Sequence, residues 1–146
     1  FRKLYLATEK LIDTMPCSAI DNVSMEIISR LDIHEWTKQR RVNYDVCRDL
    51  LKGQFEVLEP EREFDMHPFS LVLLTRDNQE RESLRQKLIE SNVYPAILWS
   101  IPDDTDKGID TSVERDFSMR MLSVHCDARY SERNMEVLCN IIKEMV

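Results

Sequence analysis

Apolar residues recur at helical spacing through the first fifteen positions, FRKLYLATEKLIDTM, where Leu4, Ala7, Leu11 and Ile12 fall on one side and Pro16 ends the pattern. This stretch predicts a helix or a docking arm. A second helical pattern runs from about Asn22 to Lys52 through Val23, Ile27, Leu31, Trp36, Arg40, Asn43, Cys47 and Leu50 or Leu51. Asp21 or Asn22 can cap its start by accepting backbone N–H bonds, and Gly53 is the expected stop. Asp32 to His34 is the expected bend, so two helices in near-continuity are predicted.

The period then changes. Gln54 to Leu58 alternates as a short strand, a polar turn follows, and Pro68 opens FSLVLLT, whose unbroken apolar character suits a buried strand. Gln79 to Ser91 carries Leu84, Leu88 and Ile89 on one side, an amphipathic helix with Asp77 or Asn78 as its cap. NVYPAILWSIP predicts a strand in which Pro95 demands an edge or an irregular start. Asp103 to Ser112 is acidic and aperiodic and is expected to be a loop. Met119 to Cys126 is the last predicted strand. Ser131 caps the last helix, which turns Met135, Leu138, Cys139 and Ile142 inward. The order is helix, helix, strand, strand, helix, strand, strand, helix. It predicts an α+β fold, a mainly antiparallel sheet with helices packed on one face.

A chain of 146 residues with 42% hydrophobic content is long enough to bury a core of its own. Its 20 basic against 27 acidic residues give a net charge of -7, which argues against nucleic acid or an anionic membrane as the main partner. Cys17, Cys47, Cys126 and Cys139 are widely spaced with no Cys-x-x-Cys pair, so buried free thiols and a reducing cytoplasm are expected. No apolar run approaches the roughly 18 residues of a membrane span, and no segment reads as a signal peptide. The first residue is Phe1 rather than Met, as expected for a piece of a longer chain.

Most site chemistries fail on composition or spacing. Two glycines are too few for a phosphate-cradling loop, which needs positive φ and close backbone approach. His34, His67 and His125 lie in unrelated segments without a metal-ligand spacing, and structural or surface roles are expected for them. His125 and Cys126 cannot act as a neighbouring pair, because adjacent strand residues point to opposite faces. Asp103, Asp104 and Asp106 lack the spacing and the terminal glutamate of a calcium loop.

One residue remains as a candidate for substrate contact on its own chemistry. Arg129 stands where the strand MLSVHC meets a capped helix. Its guanidinium fork suits a carboxylate, although an ion pair with Asp127 or Glu132 would serve the corner equally. Tyr94 and Trp99, in VYPAILW, read by position as half-buried strand aromatics.

VYPAILW, LSVHCDARYSERNME and the run Arg40-Arg41-Val42-Asn43-Tyr44 resemble the C-terminal small domain of fold-type-I aminotransferases that use pyridoxal phosphate (PLP), in the sugar-aminotransferase-like DegT branch. The likeness extends from about Met25 to Met145. Leu98 departs from it, since many relatives have a histidine there. The resemblance implies residues 1–21 as a helical arm linking to a missing large domain, and 22–146 as the small α+β domain. It implies that the large domain holds PLP on a Schiff-base lysine, and that homodimers complete the sites. It also implies a nucleotide sugar or related keto substrate, with the strand bearing Tyr94 and Trp99 near the substrate entrance, where an aromatic ring packs on substrate or cofactor. None of the seven lysines (Lys3, Lys10, Lys38, Lys52, Lys87, Lys107 and Lys143) lies in a small-residue strand-loop setting that would suit it for Schiff-base chemistry. The chain alone is therefore expected to bind no cofactor and to be inactive. A free-standing α+β interaction or regulatory module is the alternative.

Overall fold

A computed structural model describes residues 7, 8, 10–12, 14–16, 19–59, 68–98, 101 and 111–145. The chain divides into two units, Phe1–Asp32 and Ile33–Val146.

In the first unit, residues 7, 8, 10–12 and 14 have helical backbone. Helix α1 follows over Asn22–Ser29. Its start is set by Asp21, whose Oδ1 accepts the Ser24 N–H at 3.0 Å and so satisfies one of the donors that a helix N-terminus leaves open. No residue of α1 is buried, and Val23 and Ile27, one turn apart, are 65% and 58% exposed.

The second unit contains α2 (Ile33–Leu51), β1 (Glu56–Val57), β2 (Ser70–Leu74), α3 (Asn78–Glu90), α4 (Ser112–Arg120), β3 (Met121–His125) and α5 (Glu132–Glu144). The strands form one antiparallel sheet in the order β1-β2-β3. Leu71 pairs with Val124 and Leu73 with Leu122, so two apolar residues from each strand share a face. Against that face pack Cys47 and Leu51 of α2, Leu84 and Leu88 of α3, and Cys139 and Ile142 of α5. This is the α+β architecture that the periodicity predicts, with helices on one sheet face. Each fully buried Leu or Ile stabilises the unit by about 1.5–3 kcal/mol.

Cys47, Cys126 and Cys139 are free thiols with no exposed surface, contributed by α2, the end of β3 and α5. Hydrogen bonding with Cys126, with burial adding, pushes the Cys47 thiol up to about 12. Hydrogen bonding with Cys47 and burial push Cys139 upward as well. The three act as small apolar packing residues and tie both helices to the sheet.

Several elements depart from the sequence pattern. NVYPAILWSIP does not form a strand among its described residues. It makes one isolated bridge, Ala96 with Ser123, because Pro95 has no N–H to give and Asn92 and Val93 are used to end α3. Asn92 takes φ 61°, and the Val93 N–H then donates to Leu88 O at 2.8 Å. Helix α4 was not predicted. Thr111 gives it no side-chain cap and its first apolar residue, Val113, is exposed, so neither usual signal marks it. The strand expected from Met119 accordingly begins at Met121. The strand expected over 54–58 is reduced to Glu56–Val57, with Gln54 in the turn after α2. Gly53 lies in that turn without the left-handed backbone of a glycine cap. Most of the expected acidic loop, 103–110, lies outside the described residues.

Alkylation tests the thiol layer. At mildly alkaline pH, iodoacetamide is expected to spare Cys47, Cys126 and Cys139 in the native chain and to label all three in denaturant, with peptide mass mapping as the readout. Rapid native labelling of any of the three would contradict this packing.

Candidate functional site

The corner between β3 and α5 is built from local bonds. The Cys126 N–H donates to Phe69 O at 3.3 Å, which holds the strand end against the start of β2. Asp127 to Tyr130 then closes as a turn, with the Tyr130 N–H on Asp127 O at 3.1 Å. Ser131 caps α5 through a reciprocal pair: its Oγ accepts the Asn134 N–H at 3.4 Å, and Asn134 Oδ1 accepts the Ser131 N–H at 3.0 Å.

One buried side chain fixes this turn to the rest of the unit. Asn43 of α2 has no exposed surface, and its Nδ2 donates to Asp127 O at 2.8 Å and to Tyr130 O at 2.9 Å. Gln39, one turn earlier on α2, donates to Asn43 Oδ1 at 3.0 Å. Both Nδ2 partners are acceptors and the Oδ1 partner is a donor, so the amide has a single orientation that satisfies all three bonds. Asn43 was legible in the sequence as a position on the second helical face and as part of the Arg40–Tyr44 run, with no role attached.

On the outer side of the turn, Arg129 Nη2 donates to Asp127 Oδ2 at 2.7 Å and the Arg129 N–H donates to Asp127 Oδ1 at 2.9 Å. The Arg129 side chain is 73% exposed while that of Asp127 is 21% exposed. The bond from the Arg129 guanidinium holds the Asp127 carboxyl below its ordinary value, with the Arg129 backbone N–H and the Arg40 charge adding to it. Asp127 in turn raises Arg129. Of the two partners expected for an ion pair at this corner, the observed one is Asp127.

The turn forms one end of a groove of about 630 Å³. Val124, Leu138 and Ile141 give it an apolar floor, while Tyr94, His125 and Arg129 stand around its rim. Tyr94 is 66% exposed, carried outward because Asn92 ends α3 and turns Val93 into the core. The structure therefore brings two of the three expected contact residues, Arg129 and Tyr94, to one groove. Trp99 lies outside the described residues. His125 reaches the groove while Cys126 enters the core, and Phe69 stands edge-on to His125 with ring centroids 5.3 Å apart.

No family model and no curated protein sequence matches the chain. Solved structures share its fold. A DegT/DnrJ/EryC1/StrS aminotransferase from Brucella abortus superposes with a TM-score of 0.63 at 14% identity, over 75% of this chain and 31% of its own. A protein from Streptococcus pneumoniae assigned as a sugar aminotransferase gives 0.60 in its PMP form, at 11% identity over 75% of this chain and 30% of its own. Its PLP form gives 0.60 at 10% identity, over 76% and 32%. The chain thus has the fold of part of a sugar-aminotransferase-like chain, and it spans about 30% of the length of the chains it matches. Identity this low establishes the fold and leaves the chemistry to the residues.

The described residues do not fit PLP. A Schiff-base lysine must be held in a desolvated setting beside the cofactor. Lys52 is instead paired with Glu59 at 2.5 Å, Lys38 with Glu35 at 3.7 Å, and Lys87 donates to Met145 O at 2.7 Å. Lys10 is exposed, Lys143 is in the last turn of α5, and no lysine among the described residues lines the groove. Lys3 and Lys107 lie outside the described residues. No membrane-crossing helix and no metal-holding cluster occurs among the described residues.

Two outcomes follow for the corner. Asn43→Ala strands two carbonyls and is expected to cost about 1–3 kcal/mol in urea unfolding. Asn43→Asp is expected to cost more, since a carboxylate would face the same two oxygens, and an unchanged midpoint for both variants would remove Asn43 from this role. The depressed Asp127 group stabilises the fold above its unfolded value near 3.9 and stops doing so as pH falls through its lower folded value. Urea midpoints are therefore expected to drop below about pH 4, and less steeply in Asp127→Asn.

Proposed function

We propose that this chain is the substrate-closing C-terminal domain of a PLP-dependent aminotransferase acting on a nucleotide sugar or related keto substrate. Residues 1–21 serve as the arm to a large domain that holds PLP, and two copies of the intact enzyme complete the sites in the cytoplasm. Within that enzyme, Arg129 receives the carboxylate of the amino donor, and Tyr94 and Trp99 pack against bound substrate. The observation that carries the reading is a fold shared with sugar-aminotransferase-like chains over three quarters of this one. That Arg129 and Tyr94 line a single groove supports their joint role. The exposed apolar residues of α1 suit an element that packs on a further domain.

On this reading the chain alone is inactive. Mixed with stoichiometric PLP and reduced with borohydride, it is expected to show only scattered labelling of exposed amines, with no single lysine dominating. A modification lost on mutating a single lysine would overturn that part. In the intact enzyme, Arg129→Ala is expected to raise KM for the amino donor by about tenfold with kcat little changed, and unaltered kinetics would remove Arg129 from substrate recognition.

A further inference from the structure

The groove has features that the proposed function leaves unused. Its floor of Val124, Leu138 and Ile141 is apolar, and Val137 on its wall is 52% exposed. Three aromatic rings of its lining, Phe69, Tyr94 and Tyr130, are each about half or more exposed. Exposed rings gathered around an apolar cleft are characteristic of surfaces that receive a flat apolar group. The groove volume, about 630 Å³, suits a small organic molecule.

The charge at the corner end sets the sign and size of what fits there. Arg129 spends one guanidinium nitrogen on Asp127, and its Nε and Nη1 have no hydrogen-bond partner among the described residues. Arg40 lies over the Phe69 ring with its guanidinium carbon 5.5 Å from the centroid, and its charge also reaches Asp127. The buried Arg40 Nε has no acceptor among the described residues. Asp127 is thus shared by two guanidiniums, Arg129 on the groove lining and Arg40 over the Phe69 ring, and Arg129 keeps a donor edge that Asp127 does not use. One guanidinium with a free edge at one end of an apolar cleft matches a monoanion with an apolar body. A second carboxylate on the ligand would fall on the floor, where none of the described lining residues is a cation to meet it.

We propose that this groove binds an aromatic monocarboxylate, with the ring between Tyr94 and the Leu138–Ile141 floor and the carboxylate on the free edge of Arg129. The assignment shares Arg129 with the function proposed above and narrows the acid that it receives, but it needs neither the cofactor nor a second domain. Its failure would leave the aminotransferase reading of the fold standing.

Backbone amide shifts of the isotope-labelled 146-residue chain, titrated with 3-phenylpropionate, supply the test. Saturable shifts are expected at residues 93–95, 125–130 and 137–141, with a Kd on the order of 1 mM for so small a ligand. Arg129→Gln and Val137→Asp both change exposed positions, so the fold is retained, and each is expected to weaken binding about tenfold or more. The neutral 3-phenylpropanamide and the ringless dicarboxylate glutarate are each expected to bind at least tenfold more weakly than 3-phenylpropionate. Phenyl phosphate, a dianion at neutral pH, is expected to bind no better than the carboxylate. No shifts at ten times the expected Kd would overturn the proposal. So would equal binding of the amide, equal binding of glutarate, tighter binding of phenyl phosphate, or an affinity unmoved by Arg129→Gln.

Discussion

The geometry of the corner depends on one amide side chain. Asn43 is placed by the first helix of the second unit, and it bonds two carbonyls that come 84 and 87 residues later. A turn between a strand and a helix would otherwise expose those carbonyls to solvent or leave them unpaired beneath the sheet end. Because Asn43 has both hydrogens committed and Gln39 holds its oxygen, the turn has one satisfied conformation. The position of Arg129, the entry angle of α5 and the end wall of the groove all depend on it.

The core and the site are made of different materials. Leucines on β2 and β3, with three thiols between the helices, hold the second unit together, and no charged residue is among its buried described residues. Charged side chains are confined to its edges. Arg120 shows the pattern, with Nε on Thr75 O at 2.7 Å and its other nitrogens on Asp116 and Glu56, joining the end of β2 to the start of β3 from outside the core. This separation lets the groove carry a guanidinium with a free edge and exposed rings without disturbing what keeps the unit folded. It also accounts for a fold shared at 10–14% identity with much longer chains. The apolar face and its helices can be kept while the surface residues change.

What was legible in the sequence is what local physics decides. Asp21, Asp77 and Ser131 cap the helices that their side chains predict, because a cap acts over three residues. β2 and β3 follow from short apolar runs, and the helix faces from a period that any stretch of the chain displays by itself. The convergence of Cys47, Cys126 and Cys139 in one layer was foreshadowed only by their burial tendency.

The sequence by itself therefore determined the element types, the caps and the apolar faces, and through them an α+β fold with helices on one side of an antiparallel sheet. Only the tertiary structure decided that the stretch after α3 makes a single bridge, since the turn at Asn92 and the missing N–H of Pro95 leave Ala96 to pair with Ser123. It alone revealed α4, whose weak local signals are overridden by packing: Arg81 Nη1 of α3 donates to Ser118 O at 2.8 Å. It alone brought Tyr94 and Arg129 to one groove and gave Asn43 its partners. The reason is physical: helix and strand periods are set by neighbours a few residues apart, whereas a groove and a buried amide are set by residues that meet only when the chain has folded.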